Sequence, residues 1–254
     1  MGAEDMLSSI SSALVQARRQ AVALDGFPGA LPVTLEAAYD VQARSRHIWT
    51  DQVGGWKVGG VPAAYLDKFD ETRLAGPIFR KNILTANWGE VTSMPVYPGF
   101  AAVEGELVFC LGEDEQDDRL HVGVEIASSP LPAINDMGPI AVICDFGNNG
   151  GLILGPEIED WRSYKPSVFK VVTEIEGGIV GQTEMRNFGE DALVALAFMR
   201  RHAKQYGIDL PAGTYVSTGA ITGVHETAAG SRSEVSFGDL GTLRIHLVPA
   251  EPMP

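Results

Sequence analysis

Glu104 and Glu106 stand two residues apart in AAVEGELVFCLG, an apolar run that reads as a buried strand. Residues i and i+2 of a strand share a face, so the two carboxylates project side by side, with Val108 and Cys110 following them. Adjacent negative charges away from water are stable only if one is protonated or a cation lies between them. Oxygen ligands suit a hard divalent ion. A strand with one solvated face explains the same pair without a metal, so the spacing alone leaves both readings open. A third acidic residue, Glu125 in HVGVEIASS, alternates against Val122, Val124 and Ile126. Three protein oxygens, with the remaining positions left to water or substrate, suit octahedral Mg2+ or Mn2+; a solvent-facing Glu125 would need no ion.

Lys57 lies in GWKVGG among aromatic, aliphatic and glycine residues. Such a lysine either snorkels to the surface or is desolvated with a lowered pKa, and only the second state helps proton transfer near neutral pH. Asp145 follows the apolar run PIAVIC and opens DFGNNGG, a strand exit that suits either a functional carboxylate or ordinary turn chemistry. The segment YVSTGAITG offers small hydroxyls and flexible backbone able to cradle a carboxylate or phosphate, without the pattern of a nucleotide-binding loop. His47, His121, His202, His225 and His246 show no triad or metal spacing. Cys110 and Cys144 sit in apolar runs as buried thiols.

Elements that could position these groups follow from periodicity. Residues 5–24 carry Leu7, Ile10, Leu14 and Ala17 at helical spacing, and a second helix starts at an N-cap Thr34. Strands are expected at 55–60, 101–111, 121–127, 140–144, 167–175 and 214–217, with a hairpin around Gly238 to Gly241 and a disordered EPMP tail. One helix over 189–206 has acidic residues first and basic ones later, and ends at Gly207. The organisation expected is an N-terminal helical segment, 1–50, packed on a β-rich core, 51–254, forming one structural unit.

A chain of 254 residues is long enough for a substantial core. Its net charge of −14 argues against nucleic acid or an anionic membrane as partner. The N-terminus lacks the apolar core of a signal peptide and no run has the length of a membrane span, so a cytoplasmic protein is expected.

Taken in order, several segments resemble the fumarylacetoacetate hydrolase superfamily, in its branch of 2-keto-4-pentenoate hydratases and 4-oxalocrotonate decarboxylases. They are AAYDVQ with GWKVGG, then GPIF at 76–79, VEGELVF at 103–109, VEIASS at 124–129, DFGNNGGLILG at 145–155 and LPAGTYVSTGAITGV. The resemblance implies an α+β fold, a mixed β-roll or barrel core with peripheral helices, assembled as a homo-oligomer. It implies Mg2+ or Mn2+ on Glu104, Glu106 and Glu125, with Lys57 as acid/base residue and Asp145 orienting Lys57 or a water. Gly76, Pro77, Ile78, Phe79, Thr218 and Gly219 would contact the substrate, a small 2-oxo acid or dienoate. The reaction implied is hydration of a 2-hydroxy-2,4-dienoate to a 4-hydroxy-2-oxo acid. Decarboxylation of a 2-oxo-enedioate, C–C hydrolysis of an acylpyruvate, and a non-catalytic metal-binding role stand as alternatives. A cation able to hold a distal carboxylate would favour decarboxylation. Departures from the branch pattern are Phe146, the pair Asn148 and Asn149, Ala220, Pro130, and a short acidic loop GEDEQDDRLH that could change access to the site.

Overall fold

The computed structural model describes residues 2–253. Helices α1 (Ala3–Gln20) and α2 (Leu35–Ile48) open the chain, and Thr34 caps α2 by accepting the Ala37 N–H at 3.2 Å. Strands β1 (Val53–Gly60), β2 (Arg73–Phe79), β3 (Ile83–Thr85), β4 (Val91–Val96), β5 (Phe100–Cys110) and β6 (Arg119–Ser129) follow. Next come α3 (Pro139–Cys144), β7 (Asn149–Glu157), β8 (Phe169–Ile175), β9 (Gly178–Met185) and α4 (Glu190–Tyr206), which ends on a left-handed Gly207. The last strands are β10 (Tyr215–Ser217), β11 (His225–Glu226), β12 (Arg232–Phe237) and β13 (Gly241–Pro249).

Two sheets carry the fold. The larger runs β2-β1-β10-β5-β6-β7-β3 with β11 also on β5, and the smaller runs β4-β13-β12-β8-β9. Alternation along β5 explains how they meet. Val103, Leu107 and Phe109 face the smaller sheet and pack with Val171, Val235 and Phe237. At Gly105 the approach is so close that an added Cβ would lie 2.6 Å from Val235 Cγ1, which is why the residue between the two glutamates has no side chain. The even residues take the other face: Phe100 and Ala102 pack beneath the helical layer of α1, α2 and α3, and Val108 joins Ile78, Leu152 and Leu154. Glu104 and Glu106 occupy the stretch between those two apolar patches.

Three expectations need correction. Residues 140–144 form the helix α3, started by Pro139 and closed by the Asp145 N–H to the Ala141 carbonyl; the run is buried on nearly every side, so no periodicity marked it. Residues 149–151, expected in the turn that DFGNNGG opens, begin the interior strand β7, paired with β6 and β3. The tail is docked at Met253, whose N–H donates to the Arg19 carbonyl at 2.7 Å and whose side chain packs with Val15, Trp49, Phe79 and Phe146. Pro254 lies outside the described residues. None of the described helices is long and apolar enough to cross a membrane.

Candidate metal and substrate site

Strand register assembles the acidic cluster. Glu104 on β5 stands directly opposite Glu125 on β6, and Glu106 stands opposite Gly123, which contributes no side chain to that face. One oxygen from each of the three carboxylates lies within 4.8 Å of the others, and Glu106 and Glu125 are fully buried. Lys57 reaches the cluster from β1, two strands away through β10, and its Nζ is 3.1 Å from Glu125 Oε1. Three carboxylates against one ammonium leave two uncompensated negative charges in the interior, the charge that one divalent cation cancels.

Glu106 and Glu125 are each steadied on one oxygen and free on the other. Glu106 Oε2 accepts from the Ser217 hydroxyl and, at 2.8 Å, from the Gly219 N–H. Glu125 Oε1 accepts from Asn149 Nδ2 at 3.0 Å. Glu106 Oε1 and Glu125 Oε2 are buried without a partner. Buried acceptors are rarely left so, and here the orphans belong to the residues that would hold an ion. The donor set therefore fits a hard divalent metal.

Electrostatics agree. Burial pushes the Glu104 carboxyl up to about 7 even though Lys57 pulls it down. Burial, with Glu125 and Glu104 adding to it, raises Glu106 well above the usual carboxylate range. For Lys57 burial opposes the charge, but Glu125, Glu104 and Glu106 outweigh it and hold the ammonium above its ordinary value. Lys57 is thus neither snorkelling nor shifted downward; it is a buried ion-paired lysine.

A cavity of about 370 Å3 leads to this cluster, with Glu104 and Lys57 in its wall. Gly147 and Asn148, from the turn 146–148, form part of its side. Phe146, Gly147 and Asn148 have φ of 55°, 70° and 62°, three consecutive left-handed residues. Such a turn is costly outside glycine and persists only when its surroundings fix it. Two contacts do so. Gly76 of β2 receives the turn so closely that a Cβ there would lie 2.3 Å from the Phe146 carbonyl oxygen. From behind, Arg18 of α1 clamps Asp145, its Nε 2.6 Å and its Nη2 2.8 Å from the two carboxylate oxygens, while its Nη1 donates to the Asn149 carbonyl at 2.9 Å. The turn presents Asn148 to the cavity, its Nδ2 3.4 Å from Asn135 Oδ1 and its own Oδ1 buried and unpaired.

The structure brings together Glu104, Glu106, Glu125 and Lys57. The oxygens of Asp145 are taken by Arg18 and by the Ser129 hydroxyl at 2.6 Å, and it makes no hydrogen bond to Lys57. Gly76 and Pro77 are buried in β2, Ile78 and Phe79 belong to apolar clusters, and none of the four lines the cavity. Thr218 and Gly219 lie behind Glu106, where Thr218 Oγ1 donates to the Leu107 carbonyl at 2.8 Å and Gly219 holds the carboxylate. The acidic loop is pinned away from the cavity, with Glu115 and Asp118 each 2.7 Å from Arg200 of α4. Sequence reasoning missed Arg18 and Ser217. Arg18 follows Leu14 by four residues and so falls on the apolar stripe of α1, a signal that a buried arginine leaves.

No family model and no curated protein matches the chain. Solved structures do. Over 96% of this chain and 98% of the other, it superposes on 4-oxalocrotonate decarboxylase from Pseudomonas putida G7, with 20% identity for the calcium and acetate complex and a TM-score of 0.74. The magnesium and adipate complex of that enzyme gives 21% identity and the same TM-score, 0.74. Fumarylpyruvate hydrolase from Pseudomonas aeruginosa, with Mn2+ and pyruvate, is 16% identical over 80% of this chain and 93% of its own, with a TM-score of 0.57. A protein from Yersinia pestis CO92 assigned to the fumarylacetoacetate hydrolase family is 17% identical over 79% and 95%, at 0.51. The chain has the fumarylacetoacetate hydrolase fold. Within that fold the acidic cluster lies on the face of the large sheet that opens to the cavity, held by β5, β6 and β1.

Proposed function

We propose that the chain is a divalent-metal enzyme of the fumarylacetoacetate hydrolase superfamily, binding Mg2+ or Mn2+ on Glu104, Glu106 and Glu125 and hydrating a small 2-hydroxy-2,4-dienoate. One observation carries the choice of substrate: among the described residues Lys57 is the sole cation in the wall of the cavity and is offset there by Glu104, while the side chains of Leu74, Pro139, Val142, Val224, Asn135 and Asn148 and several glycines are neutral. Arg73 lies nearby, yet its guanidinium is engaged by Asp191 at 2.5 Å. A tail that is neutral and short fits such a wall, whereas a second carboxylate would be desolvated without a partner. When bound, the cation supplies two positive charges and a Lewis acid beside the oxygens of a 2-oxo acid.

The chain's own residues do the rest. With the charge of Glu104, Glu106 and Glu125 taken up by a divalent cation, Lys57 would lose the interactions that hold it above its ordinary value, and would then carry the proton that moves when the dienol becomes the conjugated ketone, delivering it at C5. Water then adds across C3 and C4, oxygen to C4 and proton to C3, giving the 4-hydroxy-2-oxo acid. Asn148, a cavity-wall residue whose carboxamide oxygen is buried without a partner, would orient that water. Ser217, Gly219 and Asn149 keep the carboxylates in register.

The full-length superposition on a decarboxylase favours a second reading, decarboxylation of a 2-oxo-enedioate at the same centre. The two separate in one assay. Purified protein with Mg2+ is given 2-hydroxypentadienoate or 2-oxohex-3-enedioate, and both dienol absorbance and released CO2 are followed. Hydration predicts loss of the pentadienoate dienol without CO2, abolished by Lys57→Ala. CO2 from the dioate reverses the assignment, and no turnover of either, or of acylpyruvates, leaves only a non-catalytic metal protein.

A further inference from the structure

A second cavity, of about 600 Å3, opens at the N-terminal ends of the parallel strands β1 and β10; Arg46, Arg80, Trp56, Thr214, Tyr215 and Asp209 are in its wall. It shares no residue with the cavity that leads to the carboxylates. Arg46, from the last turn of α2, lies with its guanidinium 5.1 Å from the centre of the Trp56 ring. Its Nε is buried and donates to nothing. Arg80 enters from the turn after β2 with its stem across Gly54, where an added Cβ would lie 2.8 Å from Arg80 Cγ.

Arginines 18, 44, 73, 119, 200, 201 and 244 each find a carboxylate among the described residues, whereas Arg19, Arg46, Arg80, Arg162, Arg186 and Arg232 find none. Of these, Arg46 and Arg80 stand together in the wall of one recess, and Arg46 has a buried Nε with no acceptor. Asp209 is the single carboxylate there, leaving the recess with a net positive charge. A guanidinium presents its N–H groups as a planar fork that matches the oxygens of a carboxylate or phosphate, and burial strengthens such charge-assisted bonds. Burial lowers the pKa of Arg46, so its charge lacks the anionic partner that would offset desolvation.

We propose that this recess binds a small oxyanion between Arg46 and Arg80, beside the strands that carry Lys57 and Ser217 into the metal site. The ligand chemistry is a compact carboxylate or phosphate, and calorimetric titration of the metal-free protein at low ionic strength with sodium succinate and, separately, sodium phosphate identifies which. Saturable 1:1 binding of either anion with a dissociation constant below about 1 mM is expected, accompanied by a change in tryptophan emission through Trp56. Arg46→Met, which keeps an apolar stem over Trp56, should weaken binding at least about tenfold, and Arg80→Ala, at an exposed position that should tolerate the change, about three- to tenfold. Glu106→Gln should leave anion affinity unchanged, which separates this recess from the metal site. The proposal is overturned if neither anion binds with a dissociation constant below about 1 mM, or if Arg80→Ala binds as tightly as the unaltered protein.

Discussion

Two buried charge clusters lie on either side of the 145–149 segment, and they are built on opposite principles. Around Arg18 everything is paired: Asp145 takes two of its N–H groups, the Ser128, Asp145 and Asn149 carbonyls accept others, and Tyr97 and Phe146 cover its faces at 4.8 and 5.3 Å. Around Glu106 three carboxylates share one lysine and two oxygens have no partner. Both cost desolvation, but only the first is complete within the chain. A self-sufficient ion pair holds shape, whereas an unbalanced one holds a place for something else.

The largest effect should come from breaking the complete cluster. Asp145→Asn strands a buried guanidinium and should lower stability by about 3–5 kcal/mol, read by urea denaturation in EDTA; a loss below about 1 kcal/mol would erase the contrast between the clusters. In the incomplete cluster a pH effect of nearly that size is expected. The folded Glu104 carboxyl is raised to about 7, so the stability it contributes is full below its ordinary value of 4.5 and is lost as pH rises through 7. Relative to Glu104→Gln, the metal-free protein should therefore lose up to about 3 kcal/mol between pH 4.5 and 8, and saturating Mg2+ should remove the slope. His202, lowered to about 4 by burial and by Arg46 and Arg201, destabilises both proteins equally as pH falls below 6.5 and cancels from that difference.

Metal affinity comes next. Glu106→Gln should weaken Mn2+ at least about 100-fold by calorimetry while leaving the metal-free protein no less stable, because burial and the neighbouring carboxylates already disfavour its charged form there. Retained Mn2+ affinity would take Glu106 out of the ligand set. The smallest change is Ser217→Ala, which frees Glu106 Oε2 from one of its two donors and should cost Mn2+ affinity about tenfold, with unchanged affinity marking Ser217 as a bystander.

The sequence carried the incomplete cluster far better than the complete one. Carboxylates in an apolar strand violate the hydrophobic pattern, and a period of two makes the shared face of Glu104 and Glu106 readable; their meeting with Glu125 needs only a hairpin-like register. Arg18 and Asp145 are 127 residues apart and meet through the docking of α1 on the turn after α3, which no local period encodes. Helices α2 and α4 announced themselves through caps, whereas α3 and β7, buried on nearly all sides, had no contrast between faces to read. The cavity wall was hidden for a related reason. GPIF marks a conformational need at Gly76, and the residues that line the cavity, Asn135, Val142 and Val224, come from loops and short elements without a signature.

The left-handed backbone at position 148 has a consequence for how this cavity can change over time. With φ at 62°, the position accepts asparagine, aspartate or glycine far more readily than any other residue, so its drift is confined to a three-letter alphabet. Val142 and Val224 carry no such restriction, since neither has a positive φ. New substrate preferences in descendants of this chain should accumulate at those two valines, while Asn148 stays nearly still.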